Sequence, residues 1–94
     1  MRIIYNSNFE IELINIIDYI AIDKPSASIN FALELEKLIL EILNFPYKYK
    51  KSIYFNNKNI RDMTYKKYTI TYIINLDKNS IEILKIFNRN KPEI

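Results

Sequence analysis

The chain has 94 residues, a net charge of +3, an apolar content of 49% and no glycine, histidine or cysteine. That length suits one small domain with a single core, burying roughly 60% of its unfolded surface. Without cysteine there is no disulfide, thiolate nucleophile or cysteine zinc site. Without histidine the usual neutral-pH base and the commonest metal ligand are missing, and without glycine the phosphate-cradling loops and dinucleotide fingerprints are excluded, so no cofactor or metal is expected.

Arg2 to Tyr5 reads as a short strand, at or beside a sheet edge. Ser7-Asn8-Phe9-Glu10 matches a capping box, in which Ser7 accepts from a first-turn amide and Glu10 reaches back to the amide of Ser7. Phe9, Leu13, Ile16, Ile17 and Ile20 then fall on one helical face, predicting a first helix from about Asn8 to Ile22. Asp23-Lys24-Pro25 breaks it, and Pro25 suits the first position of a second helix, where its missing N–H costs nothing. Ala27, Phe31, Leu35, Leu38, Ile39 and Ile42 form the inner face of that helix. It should stop near Asn44, because Pro46 disfavours helical geometry at Phe45. A connection this short makes the two helices an antiparallel hairpin.

The second helix carries another apolar line, Ile29, Leu33 and Leu40. Two readings stand: a wider contact with the sheet and first helix, or a surface that awaits a partner protein. Residues 47–59 interleave basic and aromatic side chains (YKYKKSIYFNNKN). Such a stretch can bind nucleic acid by stacking and charge, or can be a loop followed by a short edge strand whose lysines discourage aggregation.

The last third organises the rest. A strand over Ile60–Tyr65 leads into Tyr68, Ile70, Tyr72 and Ile74, which alternate with the period of a strand having one buried face. Asp77-Lys78-Asn79-Ser80 is a turn, and Ile81–Phe87 returns as the partner strand. With no glycine available, asparagine is expected to serve turns that need left-handed backbone. The order is β-α-α-β-β-β: an α+β domain in which a helical hairpin packs on one face of a small, mostly antiparallel sheet.

Charge divides unevenly along this plan. Residues 1–46 hold 3 basic and 7 acidic side chains, a balance of −4, whereas residues 47–94 hold 11 basic and 4 acidic, a balance of +7. The basic half suits an acidic partner, either nucleic acid or a protein surface; a merely solvated surface is the plainer reading. Charges interrupt every apolar run well below the roughly 20 residues of a spanning helix, and no signal peptide is evident. A cytoplasmic protein with no membrane partner is expected.

These features together resemble the RelE/ParE superfamily of toxins from type II toxin–antitoxin systems. The likeness rests on Tyr19-Ile20 followed by Asp23-Lys24-Pro25-Ser26-Ala27, the Phe45-Pro46 exit, Ile60-Arg61, Tyr68–Tyr72, Ile81–Phe87 and Arg89. It implies a small cognate antitoxin that wraps the toxin in a hetero-oligomer, for which Ile29, Leu33 and Leu40 would be the contact line. It also implies one of two targets. RelE-like members cut mRNA on the ribosome; ParE-like members poison DNA gyrase without being nucleases.

RNA cleavage through its own 2′-OH needs a base, a cation for the phosphate and an acid for the leaving oxygen. RelE-like nucleases resembling this chain place an arginine directly after the tyrosine that here is Tyr68, where this sequence has Thr69, and a tyrosine or histidine near the last strand, where it has Phe87-Asn88. Arg89 matches a family arginine, and Lys50, Lys51, Arg61, Lys66 and Lys67 could bind phosphate, but the catalytic set is incomplete. The resemblance therefore implies a non-enzymatic ParE-like gyrase inhibitor, with Arg61, Lys66, Lys67, Lys85, Arg89 and Lys91 as its target-binding residues. The alternatives are a ribosome-dependent mRNA endoribonuclease, or a non-toxic member that only binds its antitoxin. For Arg61 a surface ion pair beside Asp62 is the plainer reading.

Overall fold

A computed structural model describes residues 1–89. The elements are β1 (Arg2–Tyr5), α1 (Ser7–Asp23), α2 (Pro25–Glu41), β2 (Lys50–Lys51), β3 (Ile60–Tyr65), β4 (Tyr68–Asn75) and β5 (Ser80–Asn88). They form one open five-stranded sheet in the order β1-β5-β4-β3-β2. β1 runs parallel to β5, and the other neighbours are antiparallel. The expected α+β order is what the chain adopts, with β1 and the two-residue β2 at the edges.

The expected hairpin alternation is met: Met63 and Tyr65 on β3, and Tyr68, Ile70, Tyr72 and Ile74 on β4, are buried in the core cluster beneath the helices. α1 lies over β5. α2 reaches the β3–β4 hairpin through Phe31, whose ring centroid is 5.2 Å from that of Tyr65 and 5.5 Å from that of Tyr68. Phe9, Leu35, Ile39 and Ile42 complete the helical contribution. Truncating Phe9 or Phe31 to alanine costs about 3–5 kcal/mol, a large share of what a small domain holds in reserve.

The sheet's other face is less bare than a one-sided pattern predicts. Thr69, Thr71 and Phe87 are buried there. Thr71 donates through Oγ1 to Asp62 Oδ1 at 2.9 Å, and Tyr54 stands edge-on to Phe87 at 5.3 Å. A bulge changes the register of β5: Tyr72 faces Ile83, Thr71 faces Lys85, and Leu84 is the extra residue. Beyond the bulge Ile86 returns to the core.

Two local expectations are corrected. The helix cap is Asn6, not Ser7: Asn6 Oδ1 accepts from the Asn8 amide at 2.8 Å, and the Asn6 carbonyl accepts the first helical bond from Glu10. Asparagine caps as well as serine, and here Asn6 Nδ2 is also fixed by Glu82 Oε2 at 2.9 Å. α2 ends at Glu41 rather than Asn44, because its last turn tightens. Ile42, Leu43 and Asn44 bond to carbonyls three residues back before Phe45-Pro46 leaves the helix.

Candidate functional site

The β3–β4 connection is a two-residue turn, Lys66-Lys67, between the paired Tyr65 and Tyr68. Such turns need a positive φ. Asn79 meets this need in the β4–β5 turn at φ 50°, as expected of asparagine, but in the β3–β4 turn Lys66 does so at φ 53°. The strain sets Lys66 and Lys67 at the tip of the sheet. The Arg89 backbone N–H donates to the Lys67 carbonyl at 2.8 Å, so the end of β5 is fastened to that turn. Lys66, Lys67 and Arg89 are all exposed. Three of the six expected target-binding residues thus share one sheet end.

Carboxylates scarcely offset these charges. Lys66 Nζ lies 3.9 Å from Glu34 Oε1 with both side chains exposed, a pairing worth at most about 1 kcal/mol. Lys66 and Lys67 instead lean over aromatic rings, with Nζ 5.6 Å from the Tyr65 centroid and 5.9 Å from that of Tyr68. Burial, then the negative charge of Glu34, pushes the Tyr65 hydroxyl above its ordinary value, and burial does the same for Tyr68. Beside this end runs a cleft of about 580 Å³ between α1 and β5, lined by Tyr19, Asn15, Lys67, Tyr68 and Asn88 among others. Glu12 also lines it and accepts from the Ile86 amide at 3.0 Å. β1 ends opposite Ile83, and the α1 carboxylate takes over as β5's neighbour there.

The other expected residues are placed differently. Lys85 sits inside β5 opposite Thr71, on the face away from the helices, with Nζ 5.4 Å from the Phe87 ring centroid. Lys91 lies outside the described residues. Arg61 is the second residue of β3, roughly 16 Å along the strand from Lys66. It donates from Nε to the Lys58 carbonyl at 2.9 Å and from Nη1 to the Tyr49 carbonyl at 3.1 Å. Its guanidinium stacks 4.9 Å from the Tyr47 ring centroid. Rather than pairing with Asp62, Arg61 clamps the loop between α2 and β3.

On the helical side, Ile29, Leu33 and Leu40 are 61%, 62% and 49% exposed, so the spare line of α2 is not a wider internal contact. The sequence reading missed that α1 adds Ile11, Ile14 and Ile22 to the exposed apolar surface. Their phase, opposite to that of Phe9, Leu13 and Ile17, was the available signal. A groove of about 250 Å³ lies between the helices, lined by Phe9, Leu13 and Leu35 together with Tyr5, Glu10 and Glu36. Burial, then Glu36, raises the Tyr5 hydroxyl.

No group of three or more potential metal-binding carboxylates occurs among the described residues, and no helix there is long and apolar enough to cross a membrane. The model of the ParE toxin family of type II toxin–antitoxin systems, parDE, matches residues 3–92. Among the solved structures that match is a chromosomal ParDE toxin–antitoxin system from P. aeruginosa, at 13% identity and a TM-score of 0.74, covering 94% of this chain and 95% of that one. At that identity the likeness is one of fold. No curated protein matches the chain.

Proposed function

We propose that this chain, which belongs to the ParE toxin family of type II toxin–antitoxin systems, inhibits DNA gyrase in the cytoplasm by binding it, and is neutralised by a cognate antitoxin. The observation that carries the target side is the convergence of Lys66, Lys67 and Arg89 at one sheet end, fastened by the Arg89–Lys67 backbone bond. Exposed cations held on a rigid turn suit an acidic protein surface or the phosphates of gyrase-bound DNA. Lys85 and Lys91 would extend that surface.

Binding fits the chemistry better than catalysis. Thr69 and Phe87-Asn88 stand where RelE-like nucleases resembling this chain carry an arginine and a tyrosine or histidine, so the set that cleavage through a 2′-OH needs is incomplete. The antitoxin is assigned to the helical hairpin, on the line of Ile29, Leu33 and Leu40. That exposed apolar surface is acidic in balance, which favours an amphipathic segment with basic flanks.

The test is a DNA supercoiling assay with purified, antitoxin-free protein titrated into bacterial gyrase. Loss of supercoiling with accumulation of cleaved DNA is the expected outcome, reversed by the antitoxin. Undisturbed supercoiling by a folded sample overturns the target assignment.

A further inference from the structure

The target surface leaves one feature of the sequence unused, the basic and aromatic stretch between α2 and β3. Residues 44–61 contain five basic side chains (Lys48, Lys50, Lys51, Lys58 and Arg61), five aromatic ones and no carboxylate. The segment is held in place from within. Tyr72, fully buried, donates its hydroxyl to the Pro46 carbonyl at 2.6 Å, and Tyr47 donates to Asn59 Oδ1 at 2.8 Å. Ser52 N–H bonds to the Ile60 carbonyl at 2.8 Å. The Arg61 clamp closes the arrangement at Tyr49 and Lys58.

What this frame presents outward is unusual for a loop. Phe45 is 66% exposed, and Tyr47 and Phe55 are also exposed. Phe45, Tyr47 and Lys48 line one open apolar depression of about 550 Å³. Glu41 lines the adjoining hollow, and Asp62, just beyond the segment, is engaged by Thr71. Among the described residues no carboxylate forms an ion pair with Lys48, Lys50, Lys51 or Lys58.

We infer that residues 44–61 form a platform for single-stranded nucleic acid, separate from the Lys66-Lys67-Arg89 end. Lysines on the β2 edge track the phosphates, and Phe45, with the face of Tyr47 that Arg61 leaves open, offers ring surface to bases. Duplex bases are already stacked on one another and cannot use those faces, so the platform selects single strands. The recognition is sequence-tolerant, because every base has a face. Absence of single-strand binding would leave these lysines and rings to an acidic protein surface, where aromatic side chains are also enriched.

The experiment is fluorescence anisotropy of the purified chain, without gyrase, against labelled dT12, rU12 and a 12-base-pair duplex at several salt concentrations. The single strands are expected to bind at least fivefold more tightly than the duplex. With three or four phosphates engaged, log K should fall with log salt at a slope of about −2 to −3. The dT12 and rU12 arms decide whether the natural strand is DNA or RNA. The triple substitution K50E/K51E/K58E should weaken binding at least tenfold and flatten the slope. Phe45→Ala should weaken it at least fivefold and leave the slope unchanged. K66E/K67E should weaken it clearly less than K50E/K51E/K58E does, with melting curves verifying every fold. Absent or salt-independent binding, no preference for single strands, or equal loss in K66E/K67E would overturn the platform. Because gyrase is not in the assay, none of these outcomes depends on the proposed target.

Discussion

The amide of Arg89 meets the carbonyl of Lys67 at 2.8 Å, one step beyond the last paired residues of β4 and β5, Tyr68 and Asn88. The bond uses main-chain atoms only, so both side chains can be reversed in charge without breaking it. Arg89→Glu and the pair K66E/K67E should each raise the concentration needed to inhibit supercoiling at least tenfold. Exposed substitutions of this kind change stability by about 0.5 kcal/mol or less, so the melting temperature should move by about 2–4 °C at most. Unchanged inhibition by both variants would remove this sheet end as the target surface.

Lys66 supplies a second prediction. A non-glycine residue in left-handed backbone carries about 1–2 kcal/mol of strain, and Lys66 has φ 53°. Lys66→Gly should relieve part of that and stabilise the domain by about 0.5–1 kcal/mol, read as a rise in the denaturation midpoint. The same change removes a cation from the tip, so inhibition should weaken. A variant both less stable and equally inhibitory would mean that the turn's conformation, not its charge, is what the position maintains.

The fold was largely legible in the sequence because its signals are periodic. The alternation of Tyr68, Ile70, Tyr72 and Ile74, the helical spacing from Phe9 to Ile20, and Pro25 at a helix start each report local geometry directly. Position within the sheet was less legible. Arg61 and Lys66 look alike on paper, but β3 separates them, and only the loop's return beneath Arg61 brings the carbonyls of Tyr49 and Lys58 within its reach. The role of Glu12 was invisible for the same reason. It lies 74 residues from Ile86, and nothing local marks a helical carboxylate as the neighbour of a strand that outruns β1. Asn6 outcompeted Ser7 as cap through Glu82, an equally distant contact.

The exposed line on α2 gives a third prediction. Leu33 is 62% exposed, so Leu33→Glu should leave the melting temperature within about 4 °C of the parent. At the centre of an antitoxin interface it should cost about 2 kcal/mol or more, as buried anchors do. Calorimetric titration with the antitoxin should then show affinity reduced about 30-fold or more, with inhibition of the target intact. Full affinity in Leu33→Glu and in Ile29→Glu would place the antitoxin elsewhere.

Tyrosine burial predicts an alkaline limit. The hydroxyls of Tyr72, Tyr5, Tyr65 and Tyr68 are all pushed above the ordinary value of 10.0, burial being the leading cause in each. Above pH 10 the unfolded chain sheds protons that the folded chain retains, so the unfolded state is favoured as pH rises. Stability from these groups is complete below pH 10 and declines as pH climbs through the raised folded values. Tyr72→Phe should flatten that decline, while costing about 1 kcal/mol at neutral pH through the lost bond to Pro46. An unaltered alkaline slope in the variant would assign the transition to the other three tyrosines.

Arg61 decides between holding and binding. Its guanidinium serves two carbonyls and one ring at once, a geometry that a planar fork achieves and a single ammonium does not. Arg61→Ala should therefore destabilise the domain by about 1–2 kcal/mol, lowering the melting temperature by about 4–16 °C. Arg61→Lys should recover less than half of that despite keeping the charge. Hydrogen exchange should accelerate at the Ser52 amide, whose bond to the Ile60 carbonyl lies beside the clamp. If Arg61 instead touched the target, Arg61→Lys would retain most of the inhibition, and both variants would melt and exchange like the parent. Loss of loop protection in Arg61→Ala with supercoiling inhibition preserved would confine the residue to holding the loop.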